Sequence, residues 1–541
     1  MIRGYPQKSS LVPGQILTLH VSTDQPLFRV DLYRYGGQLS LMSRSGWLTG
    51  EHVPMPATLE ARTKDWNWPA YEFPIPADWE SGVYIAVLVE RDDQHGKAMS
   101  TADVSRHAAY GRALFVLKSA APGTTATILY ILPILTYHAY NFTGGVNYYM
   151  KGLPPTPDHQ HRVTLRRPGG GLGGDLGGEY ADHCGSACDR YDDASPRHSF
   201  FHWDAPFISW LLAQGYELDF CTDLDVHQDR DTLAKYRLMI FAGHHEYWTT
   251  EMRDHVEAYV RQGGNVMFLC GNTCWWRVRL VEEGTQVECH KIDEIDLWWS
   301  GAKRPENQVT GVSFRNGAGW WSGDEREAVG FTVQHTDSWV FEGTGVADGD
   351  VIGKEHHLVG FECDGAALEG APSAERTVVP TYTDGTPKGF LILGWAQLTR
   401  FGNGVTGWFT ATREPDAAAV YAATMGLYTK NGTVFNGATT DWVRVVAKNK
   451  DAHVTRITRN VLDRLSSGAR PHSLAGLNRR SLLKVAIEPL ALGVVSTRWL
   501  RKRMTRRQLL TLSVVAAGSA FVARSKHLSG LGRWLRHQSR L

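Results

Sequence analysis

Three segments follow closely on one another: Arg237-Leu-Met-Ile-Phe-Ala242, Thr250-Glu-Met-Arg-Asp-His-Val-Glu-Ala-Tyr-Val-Arg-Gln-Gly263 and Asn265-Val-Met-Phe-Leu-Cys270. The first and third are short, mostly apolar runs, as expected of strands buried on both faces. The middle one repeats apolar or aromatic residues at Met252, Val256, Tyr259 and Val260 and closes on Gly263-Gly264, a good helix C-cap. Strand, helix, strand in this rhythm predicts a doubly wound parallel sheet. The rhythm extends upstream. Ala126-Thr-Ile-Leu-Tyr-Ile-Leu-Pro-Ile-Leu135 reads as the opening strand, Ala205–Gly215 as a helix and Tyr216–Cys221 as the next strand. Downstream, residues 300–460 read as mixed β-structure that returns to the core with Phe390-Leu-Ile-Leu-Gly-Trp395 and a helix near Asp416–Thr429.

Residues 5–118 have a different pattern. Ile16–Ser22, Phe28–Arg34, Val83–Val89 and Arg112–Leu117 are period-two stretches separated by Pro, Gly and Asp turns. They predict an immunoglobulin-like antiparallel β-sandwich. Ser119–Thr125 reads as a linker. The expected organisation is therefore a sandwich at 1–118, an α/β domain with β-rich insertions at 119–468, and an extension at 469–541. The aromatic stretch Trp66–Trp79 is read as packing. The long insertion Asn141–Phe201 holds Pro168-Gly-Gly-Gly-Leu-Gly-Gly-Asp-Leu-Gly-Gly178, which lacks the Gly-Lys-Ser/Thr of a phosphate loop. It reads as a loose surface loop or a cover over a site.

At 541 residues the chain is too long for one core. Its 43% apolar and 21% charged content places it among globular proteins and excludes disordered and collagen-like classes. Seven cysteines in this length make no disulfide scaffold and indicate a reducing compartment. The N-terminus shows no basic stretch followed by an apolar run, so a cytoplasmic protein is expected.

The net charge of +1 hides an asymmetry. Fifteen Lys/Arg and only Glu488 lie beyond residue 469, leaving 42 basic and 55 acidic residues in 1–469. An acidic body argues against a nucleic-acid partner. The basic tail contains Asn478–Lys484 and Thr505–Thr511, which look like twin-arginine motifs but stand far from an N-terminus. Its apolar run Leu509–Ala523 is short for a membrane span. Two readings stand for this tail: peripheral contact with an anionic membrane, or a poorly ordered extension.

Ligands of a doubly wound sheet bind beyond the carboxyl ends of its strands. Three segments should meet there: Thr136-Tyr-His-Ala-Tyr-Asn141, Gly243-His-His-Glu-Tyr-Trp-Thr249 and Cys270-Gly-Asn-Thr-Cys-Trp-Trp276. Glu246 suits a metal ligand or proton acceptor, and the phenol of Tyr247 suits a hard trivalent metal. The competing reading has Glu246 facing a helix N-terminus while Tyr247 and Trp248 pack. Cys270 and Cys274 lack the Gly-x-Cys-x-Gly turn of an amidotransferase-like nucleophile and read as buried and inert. His183, Cys184 and Cys188 make an incomplete zinc set.

Residues 119–465 resemble the C-terminal catalytic region of the large subunit of N,N-dimethylformamidase. Thr136–Asn141, Trp210–Asp219, Gly243–Trp248, Gly263–Asn272, Asn431–Trp442 and Ile457–Leu465 carry the resemblance, and the sandwich is similar to the family's preceding β-domain. The resemblance implies an amidohydrolase of small linear amides with one iron held by two tyrosines and a glutamate. Tyr247 matches one tyrosine. Asp293 or Glu294, shortly before Leu297-Trp298, matches the glutamate, and His290 a nearby histidine. The second tyrosine's place on the first helix holds Phe207, which cannot bind iron. Either Tyr137 or Tyr140 substitutes, the metal differs, or the amidase activity is gone. With an intact site, the metal polarises the carbonyl and activates water, while Glu246 or a histidine (His245 or His290) moves the proton. The rival is a non-catalytic binding protein whose tryptophans (Trp275, Trp276, Trp298, Trp299, Trp320, Trp321) stack on sugar or another planar ligand.

Overall fold

Apolar runs dictate the central layer. In a computed structural model, Ile128–Leu132, Leu218–Thr222, Leu238–His244, Asn265–Gly271 and Gly432–Asn436 form the parallel half of a nine-stranded sheet. The other four strands, Ala422–Lys430, Leu391–Gln397, Phe331–Val333 and Val351–Ile352, continue the sheet antiparallel. The sheet is thus mixed, not wholly parallel as the strand–helix rhythm predicts. The structure describes residues 2–91, 111–145, 147–149, 161–172, 188–189, 192–196, 199–291, 294–320, 325–399, 408–410 and 420–468. Residues 1–472 form one compact unit. The remainder, with the twin-arginine stretches and Leu509–Ala523, lies outside the described residues. No helix among the described residues is long and apolar enough to cross a membrane.

The chain enters the sheet at Ile128–Leu132, places Leu218–Thr222 on one side, then crosses to place Leu238–His244 on the other. The connections therefore diverge between the first and third of these strands. That leaves a crevice at their carboxyl ends, the switch point where α/β proteins bind ligands. The helix Thr250–Arg261 starts where Thr249 caps it, its Oγ1 accepting the Met252 amide at 3.1 Å. The helix Asp204–Ala213 matches the expected one closely.

Near 416–429 the expectation of a helix fails. Residues 422–430 form a strand, which turns at Asn431 (φ 67°) into Gly432–Asn436. The pairing explains the choice. A Cβ on Gly426 would stand 2.4 Å from the Leu391 carbonyl oxygen, an approach that only a glycine permits between two strands. Residues 416–419 lie outside the described residues. The opening strand is also shorter than expected: it ends at Leu132, and Ile134 and Leu135 join most of Thr136–Asn141 in a short helix, Ile134–Tyr140.

The N-terminal strands form two facing sheets, Arg3–Pro6/Ile16–Ser22/Ala70–Pro74 and a larger one built around Leu27–Tyr35, Gly82–Glu90 and Gly111–Leu117. Leu17, Leu19 and Val21 meet Tyr84, Ala86, Leu88 and Phe115 in one core. The intervening residues Val83, Ile85, Val87 and Val89 face the other way and join the core of the α/β sheet. Each such aliphatic side chain contributes roughly 1.5–3 kcal/mol on burial. This is why Val83–Val89 is continuously apolar and not merely alternating. Trp66 and Trp68 pack with Tyr5, and Trp79 stacks on Tyr84, as expected of packing aromatics.

A buried acid anchors the first helix after the insertion. Asp204 accepts the hydroxyls of Tyr130, at 2.9 Å, and Tyr137. Burial pushes its carboxyl up to about 7 against the pull of both phenols. The folded chain holds this proton across pH 4–7 whereas the unfolded chain releases it near 4, so the native state loses stability as pH rises through that window. Asp204→Asn is expected to flatten that loss by roughly 2–4 kcal/mol, measured as the difference in urea-unfolding free energy between pH 5 and 8.

Candidate active site

Gly243, next to last in the third parallel strand, has φ 70°, and a Cβ there would stand 2.4 Å from Trp203 Cβ. The chain leaves the sheet through His244, His245 and Glu246, then pairs Tyr247–Thr249 beside Trp276–Val278 in a small second sheet. The segment is therefore not a direct turn from strand to helix. Thr136 Oγ1 accepts the amides of Glu246 (3.1 Å) and Tyr247 (3.4 Å), tying it to the helix after the opening strand. The Trp276 amide donates to the Glu246 carbonyl at 3.0 Å.

Glu246 is 2% exposed and its side chain faces phenols. The Tyr140 hydroxyl donates to it at 2.7 Å, and that of Tyr149 lies 3.1 Å from both carboxylate oxygens. The Tyr149 hydroxyl also meets those of Tyr140 (2.7 Å) and Tyr247 (2.6 Å). Lys291 completes the group. Its Nζ donates to the Tyr247 hydroxyl at 2.8 Å and stands 3.5 Å above the centre of the Tyr149 ring. Helix-capping by Glu246 is thus replaced by a carboxylate–phenol–ammonium cluster. On its other side, His244 Nε2 lies 3.6 Å from Glu246 and 2.6 Å from Glu362.

Electrostatics follow from burial. Desolvation raises the Glu246 carboxyl, opposed by the charges of Lys291 and His244. It lifts the phenols of Tyr140, Tyr149 and Tyr247 well above their usual range, with Glu246 adding to the rise. Burial alone would depress His244, but Glu362 and Glu246 together hold it above the usual histidine value. Burial takes His245 the opposite way, down to about 3.

Two loops supply the remaining groups. Asn147 Nδ2 donates to the Tyr140 carbonyl (3.2 Å) and its Oδ1 accepts the Tyr149 amide (2.8 Å). Buried Arg167 donates to the carbonyls of His138, Asn141 and Thr143, fixing the turn between the two tyrosines. Lys291 is positioned by Asp296, which accepts the His290 amide at 2.7 Å and pairs with Arg277 and Arg279.

Among the expected site residues, Tyr140, Glu246 and Tyr247 come together. His245 faces away, edge-on to Phe241 at 5.1 Å. His290 stacks on His161 and contacts Glu288. Glu294 is exposed, and Asp293 lies outside the described residues. Among the described residues, the carboxylate beside Tyr247 is Glu246. Phe207 is buried between Tyr130 and Trp210, and Tyr137 is engaged by Asp204. Tyr149, Lys291, His244 and Glu362 are unanticipated. His244 had a signal: residues two apart in extended chain share a face, which pairs it with Glu246 and turns His245 away. Of the tryptophans, Trp275, Trp276, Trp298 and Trp320 are buried core residues, Trp299 is half-buried with Arg315 over its ring, and Trp321 lies outside the described residues. His183 and Cys184 also lie outside them, whereas Pro168–Leu172 is folded in, with Asn141 Nδ2 donating to the Pro168 carbonyl.

Taken alone, three phenols and a carboxylate suit a hard cation, as the implied iron requires. The cation standing there is Lys291. A metal bound to the Tyr247 oxygen at about 2 Å would lie within about 5 Å of its ammonium. At that distance a divalent ion and an ammonium repel by roughly 7 kcal/mol at an effective dielectric of 20. The carboxylates Glu246 and Glu362 are already faced by Lys291 and His244. With Lys291 so placed, these residues do not fit a metal ion.

Fold and site together define an α/β protein with a carboxylate–phenol–ammonium cluster buried at the switch point of its sheet. The family described as "N,N-dimethylformamidase beta subunit-like, C-terminal" matches residues 27–453, and the chain belongs to it. It is similar to the N,N-dimethylformamidase beta subunit of Alcaligenes sp, 28% identical over 178 residues covering 28% of this chain and 23% of the relative. It is also similar to that of Paracoccus aminophilus, 27% identical over 297 residues covering 48% of this chain and 36% of the relative. The matched stretches thus span between about a quarter and a third of these relatives' lengths.

Cys270 and Cys274 are fully buried, and burial raises both thiols. Both should resist iodoacetamide in the native protein, with less than about a tenth of the labelling seen after unfolding, read by peptide mass spectrometry.

Proposed function

We propose that the chain hydrolyses the C–N bond of a small amide, with Glu246 as the base. The observation that carries this reading is the Glu246 carboxylate, buried at the switch point and surrounded by hydroxyls and an ammonium. Burial raises its proton affinity above that of an ordinary carboxylate, the direction a general base requires. Glu246 takes a proton from water, whose oxygen attacks the amide carbonyl carbon. The oxygen of the tetrahedral intermediate is then stabilised by the Lys291 ammonium and phenolic donors. The C–N bond breaks as the Glu246 carboxyl returns its proton to the departing amine, leaving an acid and an amine. His244, set between Glu246 and Glu362, orients the carboxylate.

Family membership supports the amide class, and the relatives' names make N,N-dimethylformamide the first substrate to test. Both relatives are named beta subunits, so we propose that this chain also works within a larger assembly. The facing antiparallel sheets support the immunoglobulin-like reading of residues 1–118, and the parallel strands with a site at their carboxyl ends support the amidotransferase-like reading of 119–468. Burial of most of the named tryptophans weighs against the binding-protein alternative.

Glu246→Gln keeps the shape and removes the base. It is expected to lower kcat for dimethylamine release from N,N-dimethylformamide by at least about 100-fold while circular dichroism stays unchanged. Activity within threefold of the parent would refute the assignment.

A further inference from the structure

The geometry points to Lys291 as the resident cation of this site, in the place where the family resemblance implies a metal. The inference rests on the proposed site and specifies its chemistry: hydrolysis here is independent of metal. Three observations support it. The Lys291 ammonium donates to Tyr247, the one tyrosine that both the resemblance and the structure bring to the site. It lies over the ring of Tyr149 at 3.5 Å and near those of Trp276 (5.0 Å) and Tyr247 (5.3 Å), so aromatic faces enclose it on several sides. Its backbone is not left to chance. The adjacent Cys289 and His290 amides are fixed by the His161 carbonyl and by Asp296, which Arg277 and Arg279 hold in turn.

The alternative metal ligands fail for a physical reason as well. Phe207 has no donor and is sealed in an apolar shell. Glu294 is exposed to solvent while the phenols it would have to join are half-buried or buried. Among the described residues the carboxylate in contact with the phenols is Glu246, with Glu362 behind it across His244, and the Lys291 ammonium and His244 already face that pair.

The test uses the full chain, incubated with one equivalent of ferric or zinc ion, desalted and assayed for metal. Fewer than one ion per ten chains, with no visible tyrosinate-to-iron band, is expected. Lys291→Met removes the charge at similar length and should raise metal uptake at least tenfold; Lys291→Arg should not. One equivalent of iron on the parent protein, with a visible band lost in Tyr247→Phe, would overturn the inference, as would equal uptake by the parent and Lys291→Met. Amide hydrolysis is assayed separately with and without a chelator. Activity that survives chelation supports the inference, and activity that chelation abolishes overturns it. Absence of hydrolysis counts against the amidase reading alone, because metal uptake is read without it.

Discussion

A carboxylate cannot sit in a protein interior without partners, and Glu246 governs the arrangement of this molecule's centre. Its side chain is withdrawn from water at the junction of two sheets. Removing one partner from such a buried charge typically costs about 3–5 kcal/mol, so each partner must be delivered reliably. The solution draws on four separate parts of the chain. The opening strand's helix brings Tyr140 and Thr136, the following turn brings Tyr149, the loop after Gln286–Glu288 brings Lys291, and the third strand's end brings His244.

Delivery by loops demands a second tier of fixed groups. Arg167 holds three carbonyls of the turn leading to Tyr148 and Tyr149, and Tyr148 stacks on Tyr247 while donating to the Val287 carbonyl. Asp296 serves the Lys291 loop, its carboxylate held below the usual range by Arg279, the His290 amide and Arg277 despite burial. The sandwich contributes from behind. Its Val83–Val89 face fuses with the α/β core, and Tyr35 donates to the Ala205 carbonyl at 2.9 Å. A site built of loops thus gains the rigidity of the sheets on which they rest.

Local pattern made much of the fold readable. Strands 238–244 and 265–271 and the helix between them follow from apolar period and capping residues, which act over a few positions. The strand at 422–430 was misread because its partners lie outside any local window; only the close approach of Leu391 explains Gly426. The site was half legible for the same reason. His-Glu-Tyr after a strand stood out as chemistry without a packing purpose. Nothing near Lys291 or Glu362 in sequence announces a contact with residues 247 or 244, since such contacts depend on tertiary closure of long loops.

Phe207 takes on a different meaning within this frame. As a missing ligand it is a defect, yet in the structure it fills apolar space beside Tyr130 and Trp210. If the site relies on an ammonium, as proposed, it has no use for a hydroxyl there, and an unsatisfied buried phenol would be costly. The chemistry shifts accordingly. In the proposed mechanism an ammonium donates hydrogen bonds to an oxyanion but does not acidify water as a metal does, so the whole burden of activating water would fall on Glu246. A single well-placed oxyanion donor is worth about 3–4 kcal/mol, so, under the proposed mechanism, turnover should favour amides whose amines leave readily over those that need strong carbonyl activation.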